Sequence, residues 1–276
     1  MIALYISLGI LVIAVSVWLF LIAPKSNKEM NKYKNVKYAH RGLHGEIDGE
    51  YAAENSMTAF ARAVKCGFGI ELDVRLSSDG EVIVFHDGTL DRVAGVSGKP
   101  EERTAEELAG LSLSGTSDGV PTLREVLALV DGQVPLLIEI KEDGSDHAVT
   151  EALPALLKDY KGDYIIESFN PLTLGVVKKL MPQVPRGFLA DKLTKNPDYK
   201  KIKYRIVQSF VLNFIARPSF IAMQKNRISM MPLPVIRAIF HTPCLAWTIT
   251  SAEEEKCAYK AGFDSVIFEQ YIPEKN

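Results

Sequence analysis

Cysteine and histidine are scarce in this chain of 276 residues, and neither sign of charge predominates. The three cysteines are too few, and odd in number, for a disulfide framework, which favours a reducing compartment with each thiol as a small buried hydrophobe. The 19 glycines and 14 prolines exclude a collagen-like or low-complexity protein. A formal net charge of −2 gives no basic excess, so we expect no nucleic-acid partner.

The chain opens with a long apolar run. Residues 2–23 contain no charged side chain, and as a helix with a rise of about 1.5 Å per residue they would cross a hydrocarbon core of about 30 Å. A cleaved signal peptide is the competing interpretation, but no basic region precedes the run, which is longer than the usual core of about 7–15 residues. We therefore expect a transmembrane anchor over residues 1–24.

The charges that flank this run predict its orientation. Only Met1 precedes it, whereas the segment after it is rich in lysine and contains one acid, Glu29. The positive-inside rule then predicts a single-pass protein of the cell membrane, with the remainder of the chain in the cytoplasm. We expect residues 25–35 to form a basic stalk; this stalk and its edge contain Lys25, Lys28, Lys32, Lys34 and Lys37.

Residues 36–276 are predicted to form one domain, because no linker rich in proline, glycine or serine interrupts them. Short apolar segments alternate with helix-like stretches, among them 56–66, 123–129, 171–180 and 252–261. This alternation indicates a parallel sheet, and eight strands at this chain length predict an α/β fold of the (β/α)8 or TIM-barrel type. A doubly wound open sheet is the alternative. The predicted strands are 38–40, 69–74, 82–86, 135–140, 164–169, 186–189, 244–249 and 265–268.

Charged and polar residues follow or interrupt four of these apolar segments, at the barrel end where catalytic groups lie. Glu71 and Asp73 are two positions apart, so on a strand both point to the same face. Two carboxylates inside a barrel must be paired, protonated or bound to a cation, since burying them bare costs several kcal/mol. Glu139 and Lys141 repeat this spacing.

Three converging carboxylates form a hard oxygen site suited to one divalent cation, Mg²⁺ or Ca²⁺. A network of carboxylate–lysine ion pairs that stabilises the barrel is the alternative, and spacing alone leaves both open. His40 and His86 end two strands and suit general acid and general base roles. With Arg41 and Lys141 as phosphate-binding cations, the set matches what metal-assisted cleavage of a phosphodiester needs.

At these residues the sequence resembles the glycerophosphodiester phosphodiesterase family. Six motifs of that family occur in order, and weaker matches follow at 168–170 and 246–248, so the resemblance covers residues 38 to about 250. The motifs are His40-Arg41-Gly42, Ala53-Glu54-Asn55-Ser56, Ile70-Glu71-Leu72-Asp73-Val74 with Ser78-Asp79-Gly80, His86-Asp87, Pro121-Thr122-Leu123 with Glu125, and Ile138-Glu139-Ile140-Lys141.

The resemblance implies a TIM barrel, a divalent cation and a phosphodiester substrate. Glu71, Asp73 and Glu139 would hold the cation, with His40 as proton acceptor and His86 as proton donor. By the same resemblance, the remaining residues of these motifs would grip the phosphate or support the site; they are Arg41, Lys141, Glu54 and Asn55. Trp247, near a strand end, would stack on the apolar part of a substrate or pack in the core.

The implied activity is hydrolysis of glycerophosphodiesters to glycerol phosphate and an alcohol, linked to the turnover of phospholipid headgroups. Two alternatives remain at this point: hydrolysis of lysophospholipids in the manner of a phospholipase D, and a catalytically silent membrane sensor that binds phosphodiesters. The sequence departs from the family at Ala53, Ser56, Thr250-Ser251 and 268–273, none of which belongs to the implied cation ligands or the two histidines. These departures leave the alcohol pocket, and so the exact substrate, open.

Charge is distributed unevenly along the chain. Residues 191–240 contain ten lysines and arginines against two acids, Asp191 and Asp198, and the same stretch is rich in apolar residues. Two outer barrel helices with solvated basic faces are one interpretation. A face that contacts anionic membrane lipid is the other.

Overall fold

A closed barrel of eight parallel strands forms the centre of the molecule. The computed structural model describes residues 1–25, 28–47, 49–142, 146–191 and 202–274, apart from the side chain of Lys203. The strands are β1 (Lys37–Ala39), β2 (Gly45–Ile47), β3 (Glu50–Ala52), β4 (Gly69–Leu76), β5 (Val82–Val84), β6 (Leu136–Ile140), β7 (Tyr164–Ser168), β8 (Arg186–Ala190), β9 (Phe220–Gln224), β10 (Cys244–Ile249) and β11 (Ser265–Phe268).

Helices surround the barrel, and one long helix precedes it. The α-helices are α1 (Ile2–Ile22), α2 (Met57–Cys66), α3 (Asp91–Ala94), α4 (Ala105–Ala109), α5 (Leu123–Val130), α6 (Ala148–Leu157), α7 (Pro171–Leu180), α8 (Ile202–Gln208), α9 (Asn213–Ala216), α10 (Leu233–Phe240) and α11 (Ala252–Lys260). Short 3₁₀ helices occupy Lys28–Tyr33, Pro100–Glu102, Leu113–Gly115 and Lys225–Arg227.

The barrel closes in the strand order β1–β4–β6–β7–β8–β9–β10–β11, with β11 returning to β1, and every pair in this ring is parallel. This confirms the predicted (β/α)8 class and excludes the open sheet. The other three strands lie outside the ring. β2 and β3 form a hairpin after β1, and β5 pairs antiparallel with the end of β4.

Two of the strand predictions require correction. Segment 82–86 was predicted as a barrel strand, but its core is β5, which folds back on β4 through residues 77–81. A parallel partner would need a crossover of about a dozen residues, so that short connection already indicated a hairpin. The eighth barrel strand is instead β9, which was not predicted because Ile221 is its only β-branched residue.

Local sequence explains where several helices begin and end. Ser56 caps α2, its hydroxyl accepting a hydrogen bond from the amide of Ala59, and Gly67 ends the helix in a left-handed conformation. Thr122 and Glu125 form a capping box at the start of α5. Such caps satisfy amide groups that a helix leaves unpaired, and they orient the helices against the barrel.

The amino-terminal half of the barrel interior is apolar. Inward side chains alternate along each strand. One apolar cluster consists of Tyr38, Leu137, Ile165, Phe220 and Leu245 with Leu189 and Ile267, the last two of which also border the cavity at the carboxyl end. Residues 28–33 of the predicted stalk lie at the base, where Met30 and Tyr33 are buried against this cluster. Tyr33 Oη donates to the carbonyl of Tyr164, at 3.0 Å. The polar interior is therefore confined to the carboxyl end of the strands.

Helix α1 is, within the described ranges, the one helix long and apolar enough to cross a membrane. Its first sixteen residues are exposed, whereas its last turn packs on α9, with Ile22 buried. Asn213 Nδ2 donates to the carbonyl of Ile22 (3.0 Å), and Arg217 Nη1 donates to the carbonyls of Phe20 and Ala23 (2.9 Å each). Two side chains next to β9 thus cap the carboxyl end of α1.

Segment 191–240 contains α8, α9, β9 and α10, so it is more than two outer helices. Several of its basic side chains contact protein groups: Arg217 binds the end of α1, Lys225 pairs with Glu254, Arg227 lies 3.9 Å from Asp191, and Arg237 donates to the carbonyl of Gly262. Arg205 is exposed. Lys192, Lys195, Lys200 and Lys201 lie outside the described residues.

Candidate active site

A cavity of about 170 Å³ opens at the carboxyl end of the barrel strands. Seven of the ten predicted site residues line it; Asp73 and Asn55 lie buried beneath it, and Glu54 lies beside it. The lining consists of His40, Arg41, Glu71, His86, Glu139, Lys141, Glu167, Phe169, Leu189, Trp247, Thr248 and Ile267.

Three carboxylates meet at the floor of this cavity. Glu71 and Asp73 point inward from β4, and the register places Asp73 beside Glu139 of β6. Each offers an oxygen, and these oxygens lie within 4.8 Å of one another. Glu71 and Asp73 are 1% exposed and Glu139 is 6% exposed, so the group is shielded from bulk water.

The loop after β1 supports these acids through its backbone. The amide of Arg41 donates to Glu71 Oε2 at 2.8 Å, and Gly42 follows with a φ of 79°, where a Cβ would lie 2.9 Å from Ala59 and Phe60 side-chain atoms. Asn55, also at positive φ, donates from Nδ2 to Asp73 Oδ2 at 2.8 Å. Asparagine tolerates that conformation better than most residues, which suits it to this bridging position.

Two cations lie among the acids. Lys141 Nζ is 2.6 Å from Glu139 Oε1 and 3.1 Å from Asp73 Oδ1. Arg41 Nη1 donates to Glu54 Oε1 at 2.7 Å, and its Nε lies 3.5 Å from Asp73. The predicted phosphate-binding residues and the predicted cation ligands therefore form one charged cluster.

Burial and mutual repulsion separate the acids by their pKa values. Burial, with Asp73, Glu139 and Glu167 nearby, raises the pKa of Glu71 well above its usual value. Burial also raises the pKa of Glu139, to about 7, although Lys141 opposes the shift. Burial would raise the pKa of Asp73 too, but Lys141, His86 and Arg41 together hold it below its usual value.

The donor set fits a hard divalent cation. Among the described residues, Glu167 Oε2 is a buried oxygen without a hydrogen-bond donor, and Asp73 Oδ1 and Glu139 Oε1 share a single ammonium group, that of Lys141. Buried acceptors without donors are costly, and a cation with oxygen ligands would satisfy them. The ion pairs of Lys141 match the alternative network as well, so the geometry accommodates both predictions. A second group of donors, His40, His44 and Glu269, also lies within 4.8 Å.

His40 is held by a carboxylate from the opposite end of the chain. Its Nδ1 lies 2.7 Å from Glu269 Oε2, and His44 Nε2 lies 3.8 Å from the same oxygen. Burial lowers the pKa of His40, while Glu269 opposes this shift. The two histidines in turn hold the pKa of Glu269 well below its usual value.

His86 has a comparable partner beside it in sequence. Its Nδ1 lies 2.6 Å from Asp87 Oδ1, and Arg92 binds Asp87 and Glu54 together through hydrogen bonds of 2.6–3.0 Å. Burial lowers the pKa of His86. In both histidines a carboxylate occupies Nδ1, which leaves Nε2 as the nitrogen available to the cavity.

Trp247 forms part of the cavity wall. Its ring meets Phe169 edge-on, with centroids 6.0 Å apart, and its Nε1 is buried without a partner among the described residues. The side chain thus packs on one aromatic residue while it faces the cavity.

Three charged residues of the site lie outside the predicted set. Glu167 interrupts the apolar strand β7 as Glu139 interrupts β6, and this shared pattern was a usable signal. Glu269 follows the apolar strand β11 and lies in segment 268–273, which departs from the family pattern. Arg92 lies 38 positions from Glu54, and no local pattern connects them.

A cavity that brings proton-transfer groups next to buried acids and cations at this end of a (β/α)8 barrel suits the cleavage of a phosphodiester, which is the chemistry of phosphoric diester hydrolases. A model of the glycerophosphoryl diester phosphodiesterase family matches residues 40–271. The glycerophosphodiester phosphodiesterase of Caldanaerobacter subterraneus is 31% identical over 246 residues, covering 85% of this chain and 93% of that protein. The chain belongs to the glycerophosphoryl diester phosphodiesterase family.

Solved structures show the same fold. A glycerophosphodiester phosphodiesterase from Thermotoga maritima is 26% identical, with a TM-score of 0.64, over 85% of this chain and 94% of that one. A phosphodiesterase from Oleispira antarctica, solved with its product sn-glycerol-3-phosphate, is 23% identical with a TM-score of 0.72, over 87% of this chain and 95% of that one.

Proposed function

We propose that this protein hydrolyses glycerophosphodiesters to glycerol phosphate and an alcohol, as a step in the turnover of phospholipid headgroups. Glu71, Asp73 and Glu139 would hold one divalent cation, Mg²⁺ or Ca²⁺, which when bound would neutralise charge on the phosphoryl oxygens. The observation that carries the proposal is that two carboxylate-anchored histidines border the same cavity as these acids.

The two histidines suit opposite proton transfers. A neutral His40 that donates from Nδ1 to Glu269 has a free electron pair on Nε2, and this nitrogen would take the proton of the nucleophile. A protonated His86, stabilised by Asp87, would give the proton of Nε2 to the departing alcohol oxygen. The assignment of acceptor and donor follows the family resemblance. Arg41 and Lys141 would bind the phosphate oxygens.

The position of the cavity favours a small, water-soluble diester over a lysophospholipid. The last turn of α1 is bound beside the start of β9, whereas the cavity lies at the opposite end of the strands. Its volume of about 170 Å³ is below the roughly 300–1,000 Å³ typical of drug-sized ligands. An acyl chain held in the bilayer would have to reach around the barrel to enter it.

The proposed location of the protein is the cell membrane. Helix α1 would span the bilayer as a single anchor, and the lysines after it would retain the barrel on the cytoplasmic side. A contribution of segment 191–240 to lipid contact would rest on Arg205 and on the lysines outside the described residues.

An assay of the full chain tests the proposed reaction. We expect alcohol release from glycerophosphocholine to exceed release of headgroup from lysophosphatidylcholine, to stop with EDTA and to return with Mg²⁺ or Ca²⁺. H86A and E71A should each lower kcat by about a thousandfold, because each removes a group that acts in the reaction. Glu46→Ala, at an exposed position on β2, should leave kcat unchanged.

Other outcomes of the same assay identify the alternatives. Full activity in EDTA would contradict the cation-dependent mechanism. Turnover confined to lysophosphatidylcholine would indicate the phospholipase D type of reaction, and binding of glycerophosphocholine without turnover would indicate a sensor.

A further inference from the structure

A second cavity, of about 140 Å³, lies at the amino-terminal end of the barrel. Ser219 immediately precedes β9, and residues 240–243 lead from the end of α10 into β10. The rest of the lining comes from Lys25, Lys28, Met30, Asn31 and Lys34. The site of phosphodiester chemistry is at the other end of these strands.

The chemistry of this lining is that of an anion site. Lys25, Lys28 and Lys34 bring three positive charges, and no carboxylate belongs to the part of the lining that the structure describes. Across the described part of the chain, none of their ammonium groups forms an ion pair, in contrast to Lys32 of the same segment, which lies 2.5 Å from Asp163. Unpaired lysines around one cavity attract a negatively charged ligand.

Two buried hydroxyl groups in the wall have no partner. Ser219 is 2% exposed and Thr242 is 6% exposed, and within the described ranges Ser219 Oγ and Thr242 Oγ1 form no hydrogen bond. A buried hydroxyl without a partner costs free energy, and an anion with several acceptor oxygens would accept from both. The hydroxyls are an observation independent of the lysines, and both indicate the same kind of ligand.

The position of the cavity relative to α1 identifies the source of the anion. The amide of Lys25 donates to the carbonyl of Pro218 at 2.9 Å, three residues beyond the end of the helix. Three residues span at most about 10 Å. The headgroup region on each side of a bilayer is about 5–8 Å thick, so a cavity this close to the end of a membrane-spanning helix lies at headgroup depth.

The exposed length of α1 supports the same depth. Residues 2–17 are exposed, and sixteen helical residues reach about 24 Å. This length is less than a hydrocarbon core of about 30 Å. The last turn of α1, which packs on the barrel, must therefore complete the span, and this places the base of the barrel at the membrane–water interface. Trp18, half-buried at this junction, is a residue type typical of the interface.

We propose that this cavity binds the phosphate-bearing headgroup of an anionic phospholipid from the leaflet at which α1 ends. The proposal rests on the membrane anchorage stated above and is independent of the reaction at the other end of the barrel. The lysines supply charge, and the hydroxyls of Ser219 and Thr242 supply directed hydrogen bonds. Bound lipid would fix the base of the barrel to the membrane surface with the catalytic cavity facing the aqueous phase.

Lipid retention by the full chain in neutral detergent tests the proposal. Phosphatidylglycerol and phosphatidylcholine are titrated separately, and bound lipid is counted by native mass spectrometry. We expect phosphatidylglycerol to bind at least about tenfold more tightly. K25Q/K28Q/K34Q should abolish this difference, whereas K65Q/K158Q/K256Q, with the same change in net charge at exposed sites outside the cavity, should retain it.

A variant without any change of charge tests the directed hydrogen bonds. Thr242→Val removes a hydroxyl that has no partner among the described residues, so the protein should stay folded while its affinity for phosphatidylglycerol falls about fivefold. An unchanged Tm in each variant confirms an intact barrel without reference to turnover. Since retention is measured without turnover, failure of the proposed reaction would not affect this result.

Several results would overturn the proposal. They are an undiminished preference for phosphatidylglycerol in K25Q/K28Q/K34Q, an equal loss in the charge-matched control, and an unchanged affinity in Thr242→Val. Complete displacement of the lipid by inorganic phosphate at equal concentration would identify a free anion as the ligand. That result would also overturn the proposal that the cavity binds a lipid headgroup.

Discussion

The hydrogen bond between His40 and Glu269 determines which nitrogen of the ring faces the cavity. The carboxylate occupies Nδ1 at 2.7 Å and favours the tautomer whose Nε2 accepts a proton. Burial lowers the pKa of His40, and the positive charge of Arg41 lowers it further. The hydrogen bond to Glu269 raises the pKa, but by less than burial lowers it. Glu269 is thus a positioning residue that acts through His40.

Glu269→Gln keeps the size of the side chain and removes its charge. We expect kcat/KM to fall about a hundredfold, because the amide orients the ring less well and makes Nε2 less basic. Without the carboxylate the pKa of His40 falls further, and since a proton acceptor must be neutral, the acidic limb of the pH–rate profile should move to lower pH. Glu253→Gln, exposed on α11, is the matched control. A wild-type pH profile with reduced rate would indicate a purely structural role.

Helix α1 depends on the barrel for the hydrogen-bond partners of its last turn. The carboxyl end of a helix leaves carbonyls unpaired, and here Asn213 and Arg217 supply the donors. The guanidinium of Arg217 also lies over the ring of Phe20, 4.5 Å from its centroid. Together these contacts turn a flexible tether into a defined junction.

Arg217→Gln should loosen this junction while the barrel remains folded. The variant loses a charge-assisted contact to two carbonyls, so the amide of Lys25, which binds Pro218, should exchange its hydrogen about tenfold faster. Hydrogen exchange of the full chain in detergent provides the measurement. Arg205→Gln, at an exposed position on α8, should exchange as the wild type does. Equal protection in Arg217→Gln would contradict a docked junction.

At the scale of the whole molecule, the barrel interior holds four buried acidic side chains close together. Glu71, Asp73, Glu139 and Glu167 are buried there, with only Arg41 and Lys141 among the cavity-lining cations to balance them. Burying these acids together opposes folding, because burial and mutual repulsion disfavour their charged forms and raise the pKa of Glu71 and Glu139. A cation that binds only the folded state offsets this cost by mass action.

A divalent cation should therefore stabilise the full chain against heat. At about 100 times its Kd, a cation adds about 2.7 kcal/mol, which corresponds to a rise in Tm of about 5–10 °C for a domain of this size. Thermal unfolding in EDTA and in Mg²⁺ or Ca²⁺ measures it without reference to activity. Glu139→Gln should lose the rise, and Glu46→Gln, on the surface, should keep it. Identical Tm values with and without cation would favour the ion-pair network.

The fold class and much of the candidate site could be predicted because the patterns behind them are local. Glu71 with Asp73, and Glu139 with Lys141, interrupt apolar runs at a spacing of two, and that spacing orients both members of a pair to one face of a strand. Whether those residues hold a cation stays a prediction. The apolar run before Pro24 is likewise a local property of composition and length.

It was harder to predict from the sequence which apolar segments form strands of the barrel. Segment 82–86 and β9 are both short and apolar, and period and composition do not distinguish a strand in the ring from one folded back on its neighbour. The length of the connection to the preceding strand does distinguish them, but this length depends on where both strands begin and end. The pairing of β9 with β8 and β10 makes it the eighth strand of the barrel.

The sequence by itself determined the barrel class, the family motifs and the inward carboxylates of β4 and β6, because each depends on residues a few positions apart. Only the tertiary structure decided that Glu269 binds His40, 229 positions away, and that Asn213 and Arg217 cap a helix nearly 200 residues earlier. It also decided that three lysines after α1 line the same cavity as Ser219 and Thr242 at the barrel base. The physical reason is that closing the barrel joins distant segments, and no local pattern of side chains records which distant partner each will meet.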